Sequence, residues 1–451
     1  MMNNNNHRRT MTMMMMLKNP QKLLVQITRK LIDLEWRFLL LILLPLSLIV
    51  FLSLSTTTSL VSLSIFTNST TSHERVHDSL WTHPYVNYVE NLKKKRDERV
   101  KAELDRSRIA VCLVGGARRF ELTGESIVEK ILKVYPSSDL FLHSPVDQNS
   151  YKLSILKNAP RIAGVKIFKQ EKVPETEAQV RVLTAANSPN GIQGLLQYFH
   201  LVEGCLTMIN SYQALNNFTY DWIVRTRVDG YWSAPLSPDN FIKSRYVIPP
   251  GSSYGGLNDR FGVGDYNSSV IALSRLSLIP QLNASGFYQL NSERSFKAQL
   301  TTNNIPFSFK RLPFCIVTDR RYEYPPSRYG VPVAALSSHG PLSGAKCRPC
   351  TSVCSGPCVG NVMSVLDRGW SWTEWANNTM NLCNASGEWE TGWQRLFDKT
   401  AGKKLAAVRK RVEVLKVKDC VANFENMKQR AAIWEAPPSS EICELGLTMK
   451  S

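Results

Sequence analysis

No cysteine precedes Cys112, and no N-glycosylation sequon precedes Asn68, in this chain of 451 residues. Charge is missing altogether from Phe38 to Leu54, which reads FLLLILLPLSLIVFLSL. Acid is scarce throughout: 37 Asp and Glu stand against 55 Lys and Arg, a formal net charge of +18. The glycine-rich turns match neither the P-loop nor the dinucleotide-binding spacing, which removes both motif assignments. No internal repeat is found, which excludes a solenoid or a propeller.

The uncharged run is the first positive feature. Crossing a bilayer takes about 20 apolar residues, and the weakly polar stretch to Phe66 completes that length. Backbone groups in lipid must pair internally, so the run predicts a helix, assigned to residues 38–60; Pro45 is tolerated there. A buried core helix is disfavoured this close to the N-terminus with basic residues on one side only. A cleaved signal peptide is disfavoured by the long preceding segment. Arg8, Arg9, Lys18, Lys22, Arg29, Lys30 and Arg37 precede the run against only Asp33 and Glu35, which predicts a cytosolic tail over residues 1–37 and a translocated C-terminal side. The sequons at Asn68, Asn217, Asn267, Asn283, Asn377 and Asn384 all lie on that side, as a luminal domain requires.

The same topology reinterprets charge and cysteine. A charge of +18 is compatible with nucleic acid, a membrane surface or acidic substrates. A lumen removes nucleic acid and leaves sugar nucleotides, acidic polysaccharide and anionic lipid, beside a solvated surface with no partner. All ten cysteines follow the span and meet an oxidising compartment. Cys347, Cys350, Cys354 and Cys358 have spacings that suit either zinc or disulfides; the lumen favours disulfides, with Cys383, Cys420 and Cys443 as available partners. Cys112, inside an apolar strand, reads as a buried thiol.

Residues 61–107 read as a stem, helix-prone and highly charged from Tyr85 to Arg106. The globular part begins at Arg108. Strands are expected at 109–116, 139–143, 165–168, 222–228 and 246–248, and helices at 121–134, 148–158 and 192–215. Alternation of the two predicts an α/β sheet covered on both faces, over residues 108–340. A Cys/Trp-rich region follows over residues 341–451, with a closing helix at 401–418. Trp370, Trp372, Trp375, Trp389 and Trp393 there suit sugar stacking or core packing.

Three segments offer chemistry. Gly115 and Gly116, followed by Arg118, end the first strand, where ligands bind in open α/β sheets; a plain turn is the alternative. Arg225, Arg227 and Asp229 share one face at the end of another strand and suit either a diphosphate or a structural Arg–Asp network. Asp229 is a possible ligand for a divalent cation. Asp259, in a glycine-rich loop, is a candidate general base, with a simple hairpin as the alternative. His339 is a weaker metal candidate.

Anchor, stem and α/β luminal domain together look like a Golgi-type glycosyltransferase of the GT-A kind, a Rossmann-like mixed sheet. DWIVRTRVD (221–229) followed by GGLNDRFGVG (255–264) resembles a pattern in glycosyltransferases of bacterial surface-polysaccharide synthesis. The span from Arg108 to Leu445 resembles a plant family of type II membrane proteins, through VGGARRF, RTRVDGYW, NDRFGVG, KCRPCTSVCSGPC, SWTEW, GEWETGW and ICELG. The first two resemblances imply transfer of a sugar from a nucleotide donor to a glycan, with Mn2+ or Mg2+ at an Asp-x-Asp motif. Here that motif reads Arg227-Val228-Asp229, with only the second acid. The alternatives are a non-catalytic luminal protein that binds glycan or scaffolds other enzymes, and a zinc or redox protein built on the cysteine run.

Overall fold

The structure is a computed structural model that describes residues 83–186, 188, 190–367 and 380–448. The expected tail, the span at 38–60, most of the stem, Asn68, Asn377, Trp370, Trp372 and Trp375 lie outside the described residues. Among the described residues no helix is long and apolar enough to cross a membrane.

Helix α1 (His83–Leu104) spans the charged, helix-prone stretch expected within 85–106. Its C-terminal end is anchored: Leu104 is buried and the Lys101 ammonium lies 5.0 Å from the Tyr135 ring. Strand β1 (Ile109–Val114) is buried at every residue, as an unbroken apolar run flanked on both faces should be. Then come α2 (Phe120–Ile127), extended by a π turn at Val128–Leu132, and β2 (Asp139–Pro145). The segment expected to be helical at 148–158 is a 3-10 helix at Ser150–Asn158, buried from Ser150 to Leu156 on all sides rather than along one stripe. Strand β3 (Ile162–Phe168), α3 (Glu177–Val182) and the long α4 (Gly191–Asn216) follow. Asn217 ends α4 in the left-handed region at φ 51°, a conformation asparagine tolerates well.

The chain continues through β4 (Trp222–Arg227), β5 (Gly230–Trp232), β6 (Tyr246–Ile248), β7 (Phe261–Asp265), α5 (Tyr266–Leu273), α6 (Ile279–Ala284) and α7 (Ser292–Thr302). After β8 (Phe307–Phe309), β9 (Phe314–Val317), β10 (Val333–Ala335) and β11 (Ala345–Arg348) come α8 (Pro357–Val365), α9 (Trp393–Glu413), α10 (Val417–Arg430), β12 (Ala431–Glu435) and α11 (Ser439–Leu447).

Two sheets result. The larger has eight strands in the order β12-β3-β2-β1-β4-β7-β6-β8; the smaller has the order β10-β11-β9-β5. Strands β12, β3, β2, β1 and β4 are parallel, and β7 joins β4 antiparallel, so the large sheet is mixed. Helix α4 covers one face with Val202, Leu206 and Ile209, against Ala110, Phe141 and Ile223. The other face is sealed by Phe120, Ile131, Leu153, Val408 and Phe424.

Two expectations need correction. The closing helix at 401–418 is two helices: Gly402 breaks α9 at φ 80°, and the chain turns between Glu413 and Val417, so that Val412 and Cys420 both reach the core. Cys112 is no free thiol. It is bonded to Cys205, which the α4 face brings to a Cα–Cα distance of 6.1 Å. Strands from both sides of 340 share the sheets, because β12 pairs with β3 and β11 pairs with β9.

Every cysteine is paired. Cys347 bonds Cys315, Cys350 bonds Cys383, Cys354 bonds Cys358 and Cys420 bonds Cys443. The cysteine run is therefore a set of disulfides, and no thiolate is left for zinc. Among the sequons, Asn217, Asn267 and Asn384 are exposed and Asn283 is half-buried.

Candidate functional site

Strand order makes the site. β1 has β2 on one side and β4 on the other, so the crossovers leave β1 in opposite directions and open a crevice beyond the carboxyl ends of β1 and β4. Gly115 sits at that end with φ 120°, a conformation glycine alone adopts easily, and an added Cβ there would meet Val228 at 3.0 Å. Its carbonyl accepts from Ser144 Oγ at 2.8 Å. Beside Gly116 lies the Asp147 carboxylate. Arg118 is exposed at the same rim.

On β4 the two-residue period brings Arg225 and Arg227 to the α4 face. Arg227 donates to both oxygens of Asp229, Nε to Oδ1 at 2.8 Å and Nη2 to Oδ2 at 2.7 Å. Burial alone would raise the Asp229 carboxyl. The charge and hydrogen bonds of Arg227, with Lys346 and Arg118 behind them, outweigh it and hold the group at about 2. Asp229 therefore stays charged and already carries a bidentate partner. Lys346 reaches this point from the other sheet. Asp229 O accepts from Val317 N on β9, and Lys346 stands on β11 opposite Ile316, the β9 residue that faces Gly230. Burial pushes the Lys346 ammonium well down, and Arg260 and Arg227 add to this, against the pull of Asp229.

Deeper in, Asp259 is buried. Its Oδ2 accepts from Ser292 Oγ at 2.6 Å and lies 3.5 Å from Arg275 Nη1. Burial would raise this carboxyl, but Arg275, Arg225 and Ser292 bring it below its ordinary value. The Asp259 carbonyl accepts from Tyr198 Oη at 3.0 Å and from Arg225 Nη1. Arg225, Thr226 and Arg275 each retain a buried polar atom without a hydrogen-bond partner. Arg260 is fixed by Ser252 Oγ at 2.8 Å and the Gly344 carbonyl at 2.6 Å. The loop that carries Asp259 packs directly on the start of α7: a Cβ at Gly256 would lie 2.0 Å from the Glu293 carbonyl oxygen. Glu293 follows Ser292 on α7, and burial together with the Asp259 charge pushes its carboxyl up to about 8.

Gly115, Arg118, Arg225, Arg227, Asp229 and Asp259 thus converge on one end of the sheet. His339 does not join them; it is exposed in the loop after β10. Trp389 and Trp393 pack edge to face with centroids 4.9 Å apart, and Arg119 lies 4.1 Å from the first. Sequence reasoning missed Lys346, Arg275, Arg260 and Glu293 as site residues. Lys346 precedes a disulfide cysteine in an unremarkable strand, and only the pairing of β11 with β9 brings it to Asp229. Arg260 and Glu293 had a signal: one sits inside the Asn-Asp-x-Phe motif, the other follows the Asn291 cap of a helix whose start the Gly256 contact fixes.

The site does not fit the divalent cation that an Asp-x-Asp motif implies. Both oxygens of Asp229 are taken by Arg227, the position two residues earlier is that arginine, and cations surround the pair. No group of three or more His, Cys, Asp or Glu able to hold a metal occurs among the described residues.

Residues 104–449 match a family model described as a domain of unknown function, DUF7796. No curated protein matches the chain. Among solved structures, mouse xyloside xylosyltransferase 1, apo form, is similar at 12% identity over 45% of this chain and 84% of that one, with a TM-score of 0.28.

Proposed function

We propose a transferase role for this chain, which belongs to the DUF7796 family: a type II membrane protein of the Golgi or secretory pathway, GT-A-like in its luminal part, that transfers a sugar from a nucleotide donor to a glycan or polysaccharide. The cationic cluster at the switch point between β1 and β4 carries the reading. Arg118, Arg227 and Lys346 converge there on one carboxylate, and a nucleoside diphosphate supplies the missing negative charge. Gly115 and Gly116 let the nucleotide approach the backbone. The bond from the anomeric carbon to the donor phosphate oxygen breaks, the acceptor oxygen bonds that carbon, and the acceptor proton passes to a carboxylate. Asp259, held by Ser292 and Arg275, positions the loop and Arg225; Glu293, next to Ser292 on α7 and with its carboxyl pushed up to about 8, is the carboxyl assigned to take the proton. The disulfides and the exposed sequon asparagines support the luminal assignment.

The experiment is a thermal-shift screen of sugar nucleotides on the full-length chain in detergent, followed by transfer assays with the stabilising donor. A donor-dependent rise with transfer to a glycan is expected. A second reading, a glycan-binding protein without activity, is favoured by one observation: both acids expected to do chemistry are engaged by arginines. A flat response to every donor together with binding to glycan arrays would establish that reading instead.

A further inference from the structure

A carboxylate that faces more cations than it can neutralise marks a site built for an anion. At the rim of the crevice Asp229 is the charged acid, and Arg118, Arg227 and Lys346 all act on it. Arg260 and Arg320 act on Lys346 in turn. Arg227 is committed to Asp229, and Arg260 is committed to Ser252 and Gly344. Lys346 is different. It is half-buried, stands among like charges and forms no ion pair among the described residues. Its three donors are therefore open to a ligand. An ammonium held among guanidinium groups without a partner is costly, and an anion of two or three charges removes that cost. A divalent cation at the same place would add to the repulsion.

We propose that this chain binds the diphosphate of its nucleotide ligand with side chains alone, with Lys346 supplying the positive charge that a divalent cation would otherwise bring. The proposal rests on the nucleotide-donor reading above and specifies how that site meets the phosphates. Lys346 reaches the phosphates as a point charge, and the exposed Arg118 and Arg320 supply bidentate contacts from the rim. The Arg227–Asp229 pair fixes the floor, because a bidentate clamp leaves neither group free to rotate away.

The test is calorimetric titration of the full-length chain in detergent with UDP, GDP and inorganic pyrophosphate, each with Mn2+ and with excess chelator. Affinity for at least one nucleoside diphosphate is expected to change less than about three-fold on chelation. Lys346→Ala is expected to weaken it at least ten-fold, and Lys346→Arg to recover most of the loss. Folding of each variant is checked by thermal denaturation; if Lys346→Ala does not fold, Lys346→Gln takes its place. Binding that appears only with Mn2+ overturns this inference and leaves the donor reading standing. So does metal-free binding that Lys346→Ala and Lys346→Gln leave unchanged. No binding of any nucleoside diphosphate under either condition overturns the donor reading and this inference with it.

Discussion

Replacing Asp259 by alanine separates a structural acid from a catalytic one. Its side chain is 8% exposed, and the Arg275 guanidinium opposite is 2% exposed. Arg275 is wedged between Phe199 at 4.4 Å and Phe296 at 4.9 Å, so it cannot swing out to water when its counter-charge is removed. Breaking a buried pair in this way leaves an uncompensated charge and costs about 3–5 kcal/mol. Unfolding entropy of about 2.1 cal/mol/K per residue, over about 360 residues, converts this to a fall in Tm of roughly 4–7 °C. The measurement is differential scanning calorimetry of wild type, Asp259→Ala, Arg275→Met and the double variant. The double variant should lie well above the sum of the singles, since removing both charges leaves neither stranded. The pH dependence has a fixed sign. The folded-state pKa of Asp259 is depressed, so its stabilisation is complete above the unfolded value near 4 and is lost as pH falls. The gap between wild type and Asp259→Ala should narrow on acidification. An Asp259→Ala protein with unchanged or higher Tm would refute the structural role and return Asp259 to the candidates for base.

Four further outcomes are expected. Transfer by Glu293 should rise with pH and level off above about 8, because its carboxyl must lose a proton to act; a pH–rate profile checks this, and Glu293→Gln should abolish the limb. His143, pushed down to about 4 by burial, stays neutral when folded, so it withholds a proton that the unfolded chain binds below about 6.5; denaturant titrations at pH 7 and pH 5 should differ by about 2 kcal/mol through this group, and His143→Asn should lack that share. Removing the Cys420–Cys443 bond, which ties α10 to α11, should cost about 3 kcal/mol of loop-closure entropy, read as a lower urea midpoint of Cys420→Ser/Cys443→Ser. Endoglycosidase treatment of the chain from a eukaryotic host should reduce its mass, with glycan mapped to Asn217, Asn267 and Asn384; an unmodified chain would refute the luminal assignment.

Much of the α/β layout was legible because its strands are buried on both faces. Ile109–Val114 and Trp222–Arg227 read as apolar runs, and α4 carries a clear stripe of Phe199, Val202, Leu206 and Ile209. What escaped depends on partners far along the chain. β7 and β12 are short and carry weak patterns, and each exists because a neighbour offers an open edge. Cys112 looked like any small apolar residue, since nothing local announces Cys205. The candidate site divides the same way. Arg227 and Asp229 are visible as charges ending an apolar strand. That they neutralise each other, and that Lys346 stands beside them, follows only from the side-by-side placement of the two sheets.

The late arrival of β12 has a consequence for biosynthesis. β3 leaves the ribosome with one edge unpaired, and its partner β12 lies more than 260 residues further on. At about 5–20 residues per second, that edge waits on the order of 15–50 s for its cover. An uncovered strand is a template for pairing with other chains. On the luminal reading proposed above, maturation of this chain should depend on luminal chaperones during that interval. Truncations that stop short of Ala431 should be retained and degraded, even though every strand between β3 and β8 is already present.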